Sequence, residues 1–151
     1  MANRADFQQL AALRLTEAQT LLTHHLPDGA FYLAGYAIEC ALKSAICRTL
    51  GIDDFFEAYS SKPHGAKVRD DVVQKFRTHD YGTLLVLSGL YFTLDADFQR
   101  DKRLKSSWAT IQIHNWSEQY RYEVTARKQL TDAADFIDSV SYILRWIGQY
   151  W

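Results

Sequence analysis

The apolar stretch from Gly29 to Lys43, GAFYLAGYAIECALK, constrains the fold of this chain more than any other segment. Apolar side chains would lie on nearly every side of the helix that it predicts, as they do in helices that other elements surround. The helix is predicted to begin after Pro27, with Asp28 as its N-cap, and to stop at Gly51, which suits a left-handed C-cap. The sequence therefore predicts a central helix in a bundle.

Three polar residues, Tyr36, Glu39 and Lys43, share one face of this central helix because they lie three and four positions apart. An unpaired carboxylate or ammonium in the interior of a bundle costs several kcal/mol. Glu39 and Lys43 are therefore expected either to find partners on other helices or to line a cleft. Arg14 falls inside the apolar stripe of the first helix and is the expected partner of Glu39.

Helical periodicity covers most of the chain, which has only two prolines and no repeat or second-domain linker. The predicted fold class is all-α, an antiparallel up-and-down bundle of four to five main helices in a single domain, residues 1–151. Besides the central helix, the predicted segments are a first helix Asp6–His24, an exposed connection Ile52–Lys67, a short helix Val68–Arg77, a turn Thr78–Gly82, a helix carrying Leu84 to Leu94, a helix Phe98–His114, an irregular segment Asn115–Thr125 and a last helix Ala126–Tyr150.

The composition restricts compartment and cofactors more than it restricts the ligand. The net charge of −1 gives no overall basic field, so it neither indicates nor excludes RNA. Cys40 and Cys47 lie in one predicted helix, about 10 Å apart and too far for a disulfide. With no signal-peptide pattern and no apolar run of about 18 residues, we expect a cytoplasmic protein without a membrane segment. The scattered histidines have no metal-ligand spacing, and we expect neither a metal nor a cofactor.

Four segments carry a resemblance to a known family: RLTEAQTLL from Arg14, GAFYLAGYAIECALKSAI from Gly29, HDYGTLL from His79 and NWSEQYRY from Asn115. Together they resemble the HEPN domain family, small helical domains of higher eukaryotes and prokaryotes first described as nucleotide-binding. The resemblance implies an antiparallel bundle that usually dimerises. It also implies a role in bacterial defence or toxin–antitoxin systems, in which many members are metal-independent ribonucleases and a nucleotidyltransferase is often encoded beside them.

Active members of the family share Arg, four to six further residues and then His, and this sequence lacks that signature. Arg69 lies too far before His79 and Arg77 too close to it, while Arg100 and Arg103 both lie more than six positions before His114. The chain therefore resembles a divergent branch of the family.

Metal-independent RNA cleavage needs a general base for the 2′-hydroxyl and a cation for the charge that develops on the phosphorane oxygens. His79 is the candidate base or acid, and Arg121 or Lys43 is the candidate charge stabiliser. The predicted catalytic residues are His79, Arg121 and Glu39, and the predicted RNA- or nucleotide-binding residues are Tyr36, Lys43 and Tyr122, with Tyr36, Tyr122 and Trp116 as candidates for base stacking.

A purely structural interpretation of the same residues stays open at the level of sequence. Glu39 would then pair with Arg14 or Arg121, and His79 would cap a helix, so that the polar set would fix the register of the helices. Cys40 is expected to be a small core residue rather than a nucleophile.

The end of the last helix is the predicted interface of a homodimer. Trp146, Tyr150 and Trp151 are expected to be exposed there, and such side chains dominate interface hot spots. Two functions follow as hypotheses. The first is a HEPN-type protein that binds RNA or a nucleotide, with ribonuclease as its activity if it is an enzyme. The second is a non-catalytic dimeric module that binds a partner protein such as a nucleotidyltransferase.

Overall fold

A computed structural model describes residues 2–53, 74–124 and 128–151, and within these ranges the chain forms helices joined by turns, with no strand. The predicted all-α antiparallel bundle is confirmed. The predicted connection Ile52–Lys67 and most of the predicted helix Val68–Arg77 lie outside the described residues. The helices are α1 Arg4–Thr23, α2 Pro27–Leu50, α3 Tyr81–Leu87, α4 Tyr91–Asp97, α5 Lys102–His114, a 3₁₀ helix Glu118–Tyr122 and α6 Leu130–Ile147.

Helix α2 is the central helix of the bundle. Helices α1 and α6 pack along it, and α3 and the 3₁₀ helix contact it as well. Every residue from Ala37 to Cys47 is buried. By length and composition α2 could cross a membrane, but 83% of its most apolar window is buried within the protein, as expected of a helix that other helices surround.

The two ends of α2 are fixed in different ways. At the C-terminus Gly51 adopts φ 64°, the left-handed conformation that favours glycine, as predicted. At the N-terminus the predicted cap by Asp28 is wrong, because Pro27 is already the first helical residue. The Asp28 carboxylate instead accepts the backbone N–H of Lys128 at 2.9 Å and so ties the start of α2 to the segment before α6.

Helix α1 begins at Arg4, two residues before the predicted start at Asp6. The reason is a capping box, in which the Asn3 side chain accepts the Asp6 N–H and the Asp6 carboxylate accepts the Asn3 N–H. This local pattern precedes the apolar stripe of the helix, so hydrophobic periodicity alone does not reveal it.

The single helix predicted to carry Leu84 to Leu94 is wrong, because the chain forms two helices of seven residues there. Gly89, with φ 74°, provides the turn between α3 and α4. The Ser88 hydroxyl donates to the Leu85 carbonyl, and the Thr49 hydroxyl donates to the Ser88 carbonyl at 2.8 Å. The turn is therefore held against α2 by side-chain hydrogen bonds.

The prediction that the aromatic end of α6 is exposed is also wrong. Trp146 is 6% exposed, and its indole Nε1 donates to the Asp97 carboxylate at 2.9 Å. Tyr150 and Trp151 are half-buried against the core. The aromatic residues thus join α6 to α4 within the chain. The start of α6 is Leu130, later than the predicted Ala126, and residues 125–127 lie outside the described ranges.

Candidate functional site

Glu39 is the buried polar residue around which the candidate site is organised. Its side chain is 5% exposed, and both of its carboxylate oxygens are paired. Lys43, one turn further along α2, donates from Nζ to Oε1 at 2.6 Å, and His79 donates from Nδ1 to Oε2 at 2.7 Å. The expected partnership with Arg14 is wrong, because Arg14 pairs with Glu17 on its own helix.

His79 lies in the turn before α3, and local capping fixes that turn. The Asp80 carboxylate accepts the Thr83 backbone N–H at 2.7 Å and the Thr83 hydroxyl at 2.6 Å. These hydrogen bonds lower the pKa of the Asp80 carboxyl and make Asp80 the cap of α3. The structural interpretation in which His79 caps a helix is therefore wrong. The imidazole is left to bind Glu39 on one side.

The other side of the imidazole opens on a cleft. The His79 side chain is 35% exposed, and Nε2 has no hydrogen-bond partner in the part of the chain that the structure describes. Because a carboxylate only accepts hydrogen bonds, Nδ1 carries the proton of the neutral ring and Nε2 keeps its lone pair. The cleft has a volume of about 330 Å³ and is lined by His79, Asp80, Tyr81, Gly82, Trp108, Ile111, Gln112, Asn115 and Trp116.

Trp116 joins the cleft to the central helix. Its indole lies on Gly35, where an added Cβ would come within 2.0 Å of Nε1, and Nε1 donates to the Tyr32 carbonyl at 3.0 Å. Tyr81 stacks on the indole with centroids 5.5 Å apart and planes at 9°, and its hydroxyl donates to the Gly35 carbonyl at 2.8 Å. Trp116 is 8% exposed, so most of the ring serves packing rather than the base stacking proposed from the sequence.

Arg121 is an exposed cation on the 3₁₀ helix. Its guanidinium lies 4.8 Å from the Tyr122 ring centroid, and Tyr122 raises the pKa of Arg121. Arg121 also interacts electrostatically with Tyr36, whose ring centroid lies 6.2 Å from that of His79. Burial, more than its contact with Tyr32, raises the pKa of Tyr36. Tyr36 therefore contacts the predicted base and interacts electrostatically with the predicted charge stabiliser.

The predicted binding residues differ in their access to a ligand. Tyr122 is 68% exposed, whereas Lys43 is 8% exposed and its ammonium is held by Glu39. Lys43 therefore neutralises the buried carboxylate, and Arg121 is the better placed of the two candidate charge stabilisers. In the described ranges, neither Arg14 nor Arg121 forms an ion pair with Glu39.

Three further residues near His79 were not predicted from the sequence. Glu118 interacts electrostatically with His79, and its hydrogen bond from Gln119 lowers the pKa of the Glu118 carboxyl. Gln112 and Asn115 line the cleft. Gln112 lies in the last turn of α5 and Asn115 is its C-cap residue, and exposed amides at such positions are common, so this pattern alone carries no functional signal.

No group of three or more His, Cys, Asp or Glu residues suited to a metal ion occurs among the described residues. Cys40 is buried, and burial raises its pKa to about 11, in keeping with a core residue. Against protein-family models, curated proteins and solved structures, this chain has no match.

Proposed function

We propose that this protein is a HEPN-type RNA- or nucleotide-binding protein of the bacterial defence or toxin–antitoxin kind, with metal-independent RNA cleavage as the reaction of its site. The observation that carries the proposal is the hydrogen bond between buried Glu39 and His79, beside a cleft on which the imidazole opens. A histidine held by a buried carboxylate is a common arrangement for a general base, because the carboxylate fixes the tautomer and the orientation of the ring.

The proposed roles follow from the protonation states. With its proton on Nδ1, His79 has a lone pair on Nε2 that can take the proton of a ribose 2′-hydroxyl. The 2′-oxygen then bonds to the adjacent phosphorus while the bond from phosphorus to the 5′-oxygen breaks, which leaves a 2′,3′-cyclic phosphate, and the imidazolium returns the proton to the leaving 5′-oxygen. Lys43 offsets the negative charge of Glu39 inside the bundle, so the pair buries no net charge. Arg121, exposed and always protonated, is proposed to stabilise the charge on the phosphorane oxygens.

The test is incubation of the purified protein with total RNA and a labelled tRNA pool in the presence of a chelator. His79→Asn and Arg121→Ala are each expected to lower the cleavage rate by at least about 100-fold, the usual effect of removing a general base or a charge stabiliser. His25→Asn and Arg100→Ala are the matched controls, because both residues are exposed and lie outside the cleft. Asparagine suits position 25, which has φ 57°.

Cleavage at the parental rate in both site variants would contradict the proposed roles of His79 and Arg121. If the parent protein is folded by circular dichroism and the RNA stays intact, the proposed ribonuclease activity is contradicted. Binding of RNA or a nucleotide is then measured directly.

A second candidate function, a non-catalytic dimeric module that binds a partner protein, is favoured by exposed apolar side chains. Phe92 and Ile113 are each 81% exposed, and Tyr91 packs edge-on against Phe92 with ring centroids 5.3 Å apart. The missing Arg-to-His signature points the same way. Co-purification with the product of a neighbouring nucleotidyltransferase gene, together with the oligomeric state from light scattering, tests this function. A stable complex without nuclease activity supports it, and a robust ribonuclease in the isolated chain contradicts it.

A further inference from the structure

We propose that the start of α5, together with the end of α6, forms a docking surface for the phosphate backbone of single-stranded RNA. Four exposed cations make up this basic patch: Lys102, Arg103, Lys105 and Arg145. The inference deepens the proposed function and rests on it, because it names the surface that would hold the RNA while the His79 cleft acts on it.

The basic patch is a local concentration of positive charge in a chain with a net charge of only −1. Three of its cations fall within four consecutive positions at the start of α5. Arg103 and Arg145 meet across the two helices on one ring, since their guanidinium carbons lie 4.5 Å and 5.2 Å from the Tyr142 ring centroid. This shared contact joins the cations of α5 and α6 into one surface.

The carboxylates near the basic patch leave most of its charge uncompensated. Asp101 is occupied as the N-cap of α5 and as the acceptor of a tyrosine hydroxyl. Asp138 pairs with Arg103, with an oxygen 3.3 Å from Nη2. Within the described ranges, neither Lys102 nor Lys105 forms an ion pair. Their ammonium groups therefore remain available to an anion.

The position of these cations is unfavourable for the helix itself. Lys102 is the first residue of α5, and Arg103 and Lys105 follow within the first turn. The N-terminus carries the positive end of the helix dipole, which acidic side chains stabilise and basic side chains do not. Folding of α5 alone gives no reason for three cations at this end, whereas binding of an anion does.

The chemistry of the basic patch favours phosphate over a protein partner. The cores of protein interfaces are rich in aromatic residues and depleted in Lys, whereas all four side chains of the patch are charged. A nucleic-acid backbone repeats its negative charge along the strand, so several cations bind it at once and release its counterions. Such binding is independent of sequence, because phosphates carry no information about the bases.

One exposed face of α5 connects the basic patch to the cleft. Four exposed residues at spacings of three and four positions share this face: Lys102, Lys105, Ala109 and Gln112. Gln112 lines the cleft together with His79. The helix places position 112 about 15 Å from position 102, which is the length of about four nucleotide steps in a stacked strand. A strand held on the basic patch therefore reaches the cleft.

Fluorescence anisotropy with a labelled 2′-O-methyl RNA of about 12 nucleotides tests the inference without cleavage, since this RNA keeps its phosphates but has no free 2′-hydroxyl. We expect the logarithm of the association constant to fall with the logarithm of the KCl concentration, by about 0.7 for each phosphate contact. Single-stranded DNA of the same length should bind within about threefold, because the patch contacts phosphates rather than bases.

Three results of this titration would overturn the inference. The first is no binding of the RNA at about 50 mM KCl, and the second is binding that does not depend on salt. The third uses poly-glutamate of equal charge as a competitor. Tighter binding of this peptide than of the RNA would assign the patch to an acidic protein.

Matched variants assign the contacts to the basic patch. Lys102→Gln/Lys105→Gln should lower the salt slope by about 1.4 and weaken binding about twentyfold at about 0.1 M KCl, because two phosphate contacts are lost. Lys102→Arg/Lys105→Arg keeps both charges and should bind like the parent. Arg14→Gln, which neutralises a cation on α1 outside the patch, should change the affinity less than about twofold. Parental slope and affinity in the glutamine variant would overturn the inference.

Urea unfolding separates loss of binding from loss of the fold. Because cations at the start of a helix are unfavourable, Lys102→Gln/Lys105→Gln should unfold at the same urea concentration as the parent or a higher one. Weaker RNA binding in this variant then reflects the missing charges. If the charge-preserving variant loses binding as strongly as the glutamine variant does, charge is not the cause and the inference is overturned.

The cleavage assay distinguishes failure of the basic patch from failure of the proposed ribonuclease. If the parent cleaves unmodified RNA, Lys102→Gln/Lys105→Gln should raise KM and leave kcat unchanged, since the patch lies outside the reacting groups. An unchanged KM would refute the patch and leave the ribonuclease standing. Salt-dependent binding that needs the two lysines, in a parent protein that cleaves no RNA, would refute the ribonuclease and support the patch.

Discussion

At the scale of single residues, the ion pair of Lys43 and Glu39 is the contact with the largest expected effect on stability. Its two opposite charges meet inside the bundle, with side chains 11% and 5% exposed. A buried pair contributes little net stability as a whole, but removal of one partner leaves the other charge uncompensated. The sequence indicated that both residues needed partners. It did not show that they would partner each other, because spacing along a helix does not reveal which side chains on other helices compete.

Glu39→Gln is an isosteric change that removes the buried negative charge of this pair. We expect it to lower the free energy of unfolding by about 3 kcal/mol, since the Lys43 ammonium loses its counter-charge in a dry environment. Glu17→Gln is the control, because its pair with Arg14 is about one third exposed and should contribute less than about 1 kcal/mol. Urea unfolding followed by circular dichroism measures both, and equal losses in the two variants would contradict the assigned burial.

The buried thiol of Cys40 should react slowly with alkylating reagents in the folded protein. Burial raises the pKa of the Cys40 thiol to about 11, so the reactive thiolate is scarce in the folded protein at about pH 8. In a Cys47→Ser background, alkylation of Cys40 should be at least about tenfold slower in the native protein than in denaturant. Mass spectrometry over time gives the rates. Rapid labelling of the native protein would show that the thiol is accessible.

At the scale of elements, caps and turns set the helix boundaries more than apolar periodicity does. The capping box of Asn3 and Asp6 and the break at Gly89 both moved helix ends away from their predicted positions. Gly51 was predicted correctly because a glycine after the last apolar residue is a specific signal for a left-handed cap. The prediction that Asp28 is the N-cap was wrong, because a carboxylate near the start of a helix can accept hydrogen bonds from several groups. In the folded chain the Asp28 carboxylate accepts the backbone N–H of Lys128, which lies far away in the sequence.

Helix α3 has only seven residues, so its cap matters for the position of His79. Asp80→Ala should destabilise the protein by about 1 kcal/mol, the typical value of an N-cap. It should also weaken any activity that depends on His79, because the turn that holds the imidazole loses two hydrogen bonds. Thermal unfolding and the RNA cleavage assay measure the two effects, and Asp95→Ala, an exposed acidic residue on α4, is the control.

The same cap predicts a dependence on pH. The pKa of the Asp80 carboxyl is lowered in the folded state by its hydrogen bonds to Thr83. The stabilisation is therefore present above the unfolded pKa of about 3.9 and is lost as the pH falls through the lower folded value. Asp80→Ala should thus lose less stability in acid than the parent. If the free energy of unfolding falls equally with pH in both proteins, the hydrogen bonds of Asp80 do not stabilise the folded state as assigned.

At the scale of the whole molecule, His114 joins three parts of the fold. Its ring contacts Phe31 of α2 and Phe136 of α6 with centroids 5.9 Å and 5.7 Å away, and Lys128 Nζ lies 3.4 Å from its Nδ1. Burial, followed by the charge of Lys128, lowers the pKa of His114, while Asp132 and Asp135 oppose that shift.

A lowered pKa for a histidine means that protonation favours the unfolded chain. The stabilisation by neutral His114 is present above the unfolded pKa of about 6.5 and is lost as the pH falls toward the folded value. The midpoint of urea unfolding should therefore fall between about pH 6.5 and pH 5 in the parent, and fall less in His114→Gln. His24→Gln, which changes an exposed histidine, should follow the parent.

The architecture and its central helix could be predicted from the sequence, whereas the assembly of the site could not. Helix α2 is apolar on nearly every side and therefore needs burial on all sides, which the surrounding helices of the bundle provide. The candidate residues Glu39 and His79 were also identified. Their direct hydrogen bond, and the cleft walls from α5, depend on distances between helices that periodicity does not contain.

The contact between Gly35 and Trp116 has a consequence for how sequences related to this one can diverge. The indole occupies the volume that any side chain at position 35 would need, so a larger residue at position 35 requires a smaller one at position 116, and a smaller residue at 116 alone leaves a cavity. Across homologues, glycine at this point of the central helix should accompany a large aromatic residue before the 3₁₀ helix, and a larger residue should accompany a smaller partner. The two positions, 81 residues apart in the chain, should therefore vary as one unit.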